Sequence, residues 1–147
     1  MVSQQTLSIL TEAFRQGDPL SPYIYIICVE VLSRLLRKAQ QDGLIQGVSI
    51  ATNAPAISHL FYADDSILFC RAKIEEVETI MSILQLYQNF SGQKINLDKF
   101  EMIFSPNISH DFKKQFQESL HVKISDNIHK YLGMLLYIGF KLDLQET

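Results

Sequence analysis

Between Ile24 and Leu36 apolar residues recur at three-and-four spacing (Ile24, Ile27, Cys28, Val31, Leu32, Leu35, Leu36), while Glu30, Ser33, Arg34, Arg37 and Lys38 take the other faces. That periodicity predicts a long amphipathic helix with the stripe in the core. Ser21 followed by Pro22 is a start signal, a hydroxyl cap and then proline at the first helical position, and Gly43 closes the helix after Asp42. The helical period returns from Ile74 to about Phe90, with Ile74, Val77, Ile80, Met81, Leu84 and Tyr87 as its apolar stripe. Glu75, Glu76 and Glu78 suit the positive end of that helix dipole, and Ser91-Gly92 stops it. Ser109 to Leu120 reads as a third, shorter helix.

Other segments have strand composition. Leu44 to Ile50 predicts a short strand with a glycine bend, Glu101 to Ser105 a strand broken by Pro106, and Tyr131 to Gly139 a final strand or hairpin. Ile57 to Tyr62 and Ser66 to Cys70 flank "ADD", which predicts a tight hairpin with the carboxylates at its tip. The order helix, strand, hairpin, helix, strand, helix, strand predicts an α+β fold: a small antiparallel sheet with helices packed on one face, the other face left for a ligand or another domain. No linker, repeat or low-complexity segment divides residues 1–147, so a single domain is expected.

Composition narrows the class. Of 147 residues 47% are hydrophobic and 20% charged, which suits a globular core, and the net charge of -3 offers a polyanion no general attraction. Nucleic-acid contact would need local basic residues or bound metal. Cys28 and Cys70 each lie inside an apolar run, as buried residues of a reducing compartment do, and no zinc spacing joins them to the four histidines, which read as surface or polar-core residues. The N-terminus has no secretory pattern, and the run from Tyr23 to Val29 is far short of the roughly 20 residues that span a bilayer. An intracellular chain, nuclear or cytoplasmic and without a membrane partner, is expected.

The adjacent acids Asp64 and Asp65 raise a question of charge. Aspartate is common in turns because its side chain bonds the local backbone, and on that ground alone "ADD" is punctuation. Like charges side by side are costly to desolvate, however, and a divalent cation would compensate both: hard oxygen ligands suit Mg²⁺, which shares its sites with substrate phosphates.

The company of this pair decides between the two. "RQGDPLSP" and its helix, then "FYADDSILF", then "SGQKINLDKF", then "YLG" follow in one order from Arg15 to Gly139. This combination resembles the palm of reverse transcriptases of plant LINE-type non-LTR retrotransposons, with "YADD" as the catalytic motif. The resemblance implies a truncated RNA-directed DNA polymerase domain using Mg²⁺ (or Mn²⁺), with an RNA template, a DNA primer and deoxynucleotides as partners. It implies that Asp64 and Asp65 are catalytic carboxylates and metal ligands, Asp64 being the direct ligand of both metals. Lys99 would assist the departing pyrophosphate. Gln16 and Gly17 would approach the template or incoming nucleotide, Tyr62 and Ala63 would border the primer end, and Tyr131, Leu132 and Gly133 would form the primer grip.

Departures from the family pattern bear on activity. The family's further carboxylate, on a strand before "RQGDP", has no counterpart: Glu12 is the sole acid before Arg15, and it stands in the wrong context. The fingers are missing as well, so residues 1–147 read as a partial domain. Ala13 and Phe14 replace a glycine and an aliphatic residue, Phe100 replaces a small hydroxyl residue after Lys99, and Phe140 stands where a basic residue is usual. These changes predict that the isolated chain does not polymerise, unless a complementing upstream chain supplies the absent parts. Two other readings stand beside this one: a non-catalytic module that binds nucleic acid or protein, and a degenerate product with no selected role.

Overall fold

The computed structural model describes residues 19–62, 65–93, 95, 100–120, 123–125 and 134–138. Its elements are α1 (Ser21–Gln41), β1 (His59–Tyr62), β2 (Asp65–Cys70), α2 (Ile74–Ser91), β3 (Glu101–Phe104), α3 (His110–Leu120), β4 (Lys123–Ile124) and β5 (Met134–Ile138). The α+β class is as expected.

Both long helices end as glycine dictates. Beyond α1 the N–H of Gly43 bonds the carbonyl of Gln40 at 3.1 Å and that of Leu44 bonds Ala39 at 2.9 Å, the paired closure of a Schellman motif, with Gly43 at φ 74°. Gly92, at φ 71°, caps α2 through its N–H to the carbonyl of Gln88. The start of α1 differs from expectation: Leu20 holds the cap position, and Ser21 is already the first helical residue ahead of Pro22. Proline's fixed φ suits the whole first turn, so the start signal is good to one residue.

The stripe of α1 needs two corrections: Ser33, expected on a polar face, is buried with the stripe, and Ile27, expected in the stripe, is not. Cys28, Leu32 and Leu36 are buried, but Ile27 is 63% exposed, and with Tyr23 and Ile26 it leaves the first half of the helix apolar on its open side. In α2 the stripe holds: Val77, Ile80, Leu84 and Tyr87 are buried, and Ile74 and Met81 pack against them. In α3, Phe112 and Phe116, one turn apart, carry the helix onto β3, with Phe116 edge-on to Phe104 at 5.7 Å between ring centroids.

The five strands form one sheet in the order β1-β2-β5-β3-β4. Its directions correct the antiparallel expectation: the β1–β2 hairpin is antiparallel, whereas β2–β5, β5–β3 and β3–β4 all pair parallel. The cause lies in the connections. A helix between two strands returns the chain to the end it started from, so β2-α2-β3 and β3-α3-β4 run their strands the same way. Leu44 to Ile50 does not form the expected strand. Only a single bridge, Val48 with Ile57, survives there.

Helices occupy one face, as expected. Leu68 and Met102 share a register row through Leu136, and Cys70 and Phe104 another through Ile138. Those four side chains join one core cluster with Leu32 and Leu36 of α1, Val77 and Ile80 of α2, and Phe116 of α3.

Candidate functional site

The hairpin is built by pattern and held by neighbours. His59 pairs with Leu68 and Tyr62 with Asp65, so the connection between β1 and β2 is two residues long. Tyr62 is thus the last residue of β1 and Asp65 the first of β2, which places their backbones at the hairpin's turn end; the hairpin is as expected, but Asp65 belongs to the strand and not to the connection. Ala63 and Asp64 lie outside the described residues, and so do Gln16, Gly17, Lys99, Tyr131, Leu132 and Gly133.

The strands following three of these segments begin together. Asp65 opens β2; Met134, next in the chain after Gly133, opens β5 and pairs with Ser66; Glu101, two residues after Lys99, opens β3 and pairs with Leu135. Because β2, β5 and β3 run parallel and adjacent, their starts share one end of the sheet, the end of the hairpin turn. An antiparallel sheet would have put the start of the middle strand at the opposite end.

The approach to the hairpin is fastened at every residue from 56 to 59. The carbonyl of Ala56 accepts the side-chain amide of Gln40 at 2.9 Å. Ile57 exchanges both backbone bonds with Val48, at 2.8 and 2.9 Å, and the carbonyl of Ser58 accepts the N–H of Phe69 at 2.8 Å. The ring of His59 then lies between two hydroxyls, Nε2 at 2.8 Å from Ser33 Oγ of α1 and Nδ1 at 2.9 Å from Ser58 Oγ. Ser33 and Ser58 are buried, and burial holds the His59 pKa below its usual value, with Arg37 nearby acting the same way and Glu30 opposing.

A second polar knot lies where β2 exits into α2. The carboxylate of Glu76, 3% exposed, accepts from Arg71 Nε at 2.5 Å, from the Arg71 N–H at 2.9 Å and from the Gln46 N–H at 3.2 Å. Sequence reasoning assigned Glu76 to the helix dipole. Its spacing from Ile80 and Leu84, four and eight residues on, marked it as a member of the buried stripe. Cys70, beside this knot, is buried, and its thiol pKa is pushed up to about 12 by burial and then by Glu76. Cys28 is likewise buried, so both cysteines are core residues.

Among the described residues no three His, Cys, Asp or Glu side chains cluster to hold a metal, and no helix is long and apolar enough to cross a membrane.

Comparison with known proteins supplies the family. The profile of reverse transcriptases (RNA-dependent DNA polymerases) matches residues 3–136. The chain belongs to the reverse transcriptase family, and its α+β architecture is consistent with part of the palm of such an enzyme. Members of this family generally use divalent metal ions and bind a nucleic-acid template and primer together with deoxynucleotides. The chain is also similar to an uncharacterised mitochondrial protein of Arabidopsis thaliana, 50% identical over 62 residues, which make up 42% of this chain and 51% of that protein. The chain thus spans about half the length of that curated relative. No solved structure matches it.

Proposed function

We propose that the chain is the palm portion of a reverse transcriptase of the plant LINE-type non-LTR lineage, one partial domain over residues 1–147, acting inside the cell on an RNA template and a DNA primer. The observation that carries this reading is the shared start of β2, β5 and β3, which brings the strands following "ADD", "YLG" and Lys99 to one end of the sheet. Segments dispersed over seventy residues would then serve one reaction, nucleotidyl transfer.

In this reading Asp64 and Asp65 are the carboxylates that hold Mg²⁺ or Mn²⁺, and adjacent hard oxygen donors fit such ions. When bound, two divalent ions favour ionisation of the primer hydroxyl and neutralise the leaving pyrophosphate. Lys99 adds positive charge, or a proton, at the pyrophosphate. Gln16 and Gly17 line the template and nucleotide, with glycine allowing close backbone approach. Tyr62 and Ala63 border the primer terminus, and Tyr131, Leu132 and Gly133 grip its strand.

These 147 residues provide two of the carboxylates such a reaction uses, and their own sequence has no counterpart of the third. The chain alone is therefore expected to give no primer extension on an RNA template with Mg²⁺ or Mn²⁺. Extension that disappears with Asp64→Ala would show that the chain suffices by itself. Fusing an upstream segment that carries fingers and an aspartate-bearing strand is expected to yield extension dependent on Asp64; a folded fusion that binds template and primer yet extends nothing would refute the catalytic assignment.

A further inference from the structure

We propose that His59 is a positioning residue for the hairpin: gripped between Ser33 and Ser58, its ring fixes β1, the strand leading to Asp64 and Asp65, against α1. The functional half of this proposal rests on reading those aspartates as metal ligands.

The geometry is specific. Among the described residues β1 is an edge strand with one ladder partner, β2, and the bridge of Val48 to Ile57 bonds the chain two residues before the strand begins. The bond from His59 Nε2 to Ser33 Oγ at 2.8 Å spans 26 residues of sequence and ties that edge strand to a helix. Ser33 is buried in the middle of α1, at a position where an exposed serine would bond only its own helix. Nδ1 is held by Ser58 at 2.9 Å, so the ring is bonded on both sides and its plane is set. Phe61, two residues on, stacks in tilted contact with the ring at 4.9 Å between centroids, which carries the constraint along the strand toward Tyr62. A neutral imidazole has one donor and one acceptor, and a hydroxyl can serve either role, so both bonds are made at once. A histidine that merely filled core volume would need neither serine.

The test combines amide hydrogen exchange with Mn²⁺ binding read by water-proton relaxation, both on the full chain. His59→Ala is expected to speed exchange of the β1 and β2 amides about tenfold, the loss of roughly one buried hydrogen bond, while α2 and β3 amides stay within about twofold. Mn²⁺ binding should weaken several-fold alongside. Ser33→Ala, which removes one arm of the grip and leaves the ring, should give the same local pattern at smaller size and serves if the His59 variant does not fold. His59→Gln, whose terminal amide reaches the place of Nε2 and can bond Ser33, should restore protection and Mn²⁺ affinity. Unchanged exchange in β1, or equal acceleration in every element, would overturn the positioning role. Absence of Mn²⁺ binding by the unaltered chain, or binding indifferent to Asp64→Asn with Asp65→Asn, would instead overturn the metal reading, leaving the exchange pattern to decide the grip.

Discussion

Arg71 and Glu76 form an ion pair at 2.5 Å in which the carboxylate is buried and the guanidinium a third exposed. The pair closes a three-way junction, because the same carboxylate also accepts backbone N–H groups from the β2 exit and from the loop at Gln46. Removing it by Glu76→Ala leaves those two donors without their acceptor. A loss of about 2–3 kcal/mol is expected, below the usual range for a fully buried pair because Arg71 can turn to water. Glu76→Gln keeps an acceptor and should cost less than half of that. Urea denaturation of both variants checks the ratio; equal losses would mean that the charge, and not the backbone bonds, holds the junction.

Gly47 and Gly43 test close approach against backbone strain. Both have positive φ, at 69° and 74°. A Cβ on Gly47 would lie 2.5 Å from the carbonyl oxygen of Ile57, whereas one on Gly43 would meet nothing within 4 Å. Gly43→Ala should therefore cost only the left-handed strain, about 1 kcal/mol, and Gly47→Ala that strain plus displacement of the bridge to Ile57, about 2–4 kcal/mol. Thermal melts of the two variants give the comparison. Equal shifts would show that the approach at Gly47 is soft.

Much of this fold is written locally. Helix stops at Gly43 and Gly92, the stripe of α2 and the two-residue hairpin follow from residues near one another in the chain, where periodicity and glycine conformation act. Strand direction was available in the helices that separate β2, β3 and β4, but composition alone says nothing of it. Ile27 lies in the open because spacing identifies which residues share a face, while the face that meets the core depends on distant partners; Glu76 shares the spacing of the buried stripe of α2, and its charge masked that. The candidate site divides in the same way. Motif order pointed to Asp64, Asp65 and Lys99, whereas the Ser33–His59 bond, between residues 26 apart, had no local signal.

Ile27 and Leu32 provide the direct check on that face. Leu32 is 3% exposed and Ile27 63%, although both belong to the same apolar series. Leu32→Ala is expected to lose about 2–5 kcal/mol and Ile27→Ser to stay within about 0.5 kcal/mol of the parent. A large loss for Ile27→Ser, measured by chemical denaturation, would return that residue to the core.

Phe100, next in the chain after Lys99, is wholly buried, in the cluster with Met102 and Phe116. Replacing it by the small hydroxyl residue that the resemblance leads one to expect, Phe100→Ser, should not improve the site. It opens a cavity and buries a hydroxyl, at a cost of about 3–5 kcal/mol, a large part of the total stability of a domain this size. Loss of cooperative unfolding in Phe100→Ser, with recovery in Phe100→Leu, is the expected outcome. A stable Phe100→Ser chain would mean that the cluster closes over the gap.

His59 makes stability depend on pH in a definite direction. Burial, and then the positive charge of Arg37, lower its pKa in the folded chain from the ordinary 6.5, with Glu30 pulling weakly the other way. Above 6.5 the ring is neutral in both states and its full contribution is present. As pH falls below 6.5 the unfolded chain takes up the proton first, so stability declines until the folded ring is protonated as well. The decline therefore occupies the range just below 6.5, above the range in which ordinary carboxylates titrate. His59→Gln should abolish that part of the slope and leave the lower-pH loss in place. Urea midpoints at intervals between pH 7 and pH 5 measure it. A wild-type chain whose slope matches the glutamine variant throughout would show that His59 has the same pKa folded and unfolded, and that neither its burial nor its proximity to Arg37 disfavours the charged ring.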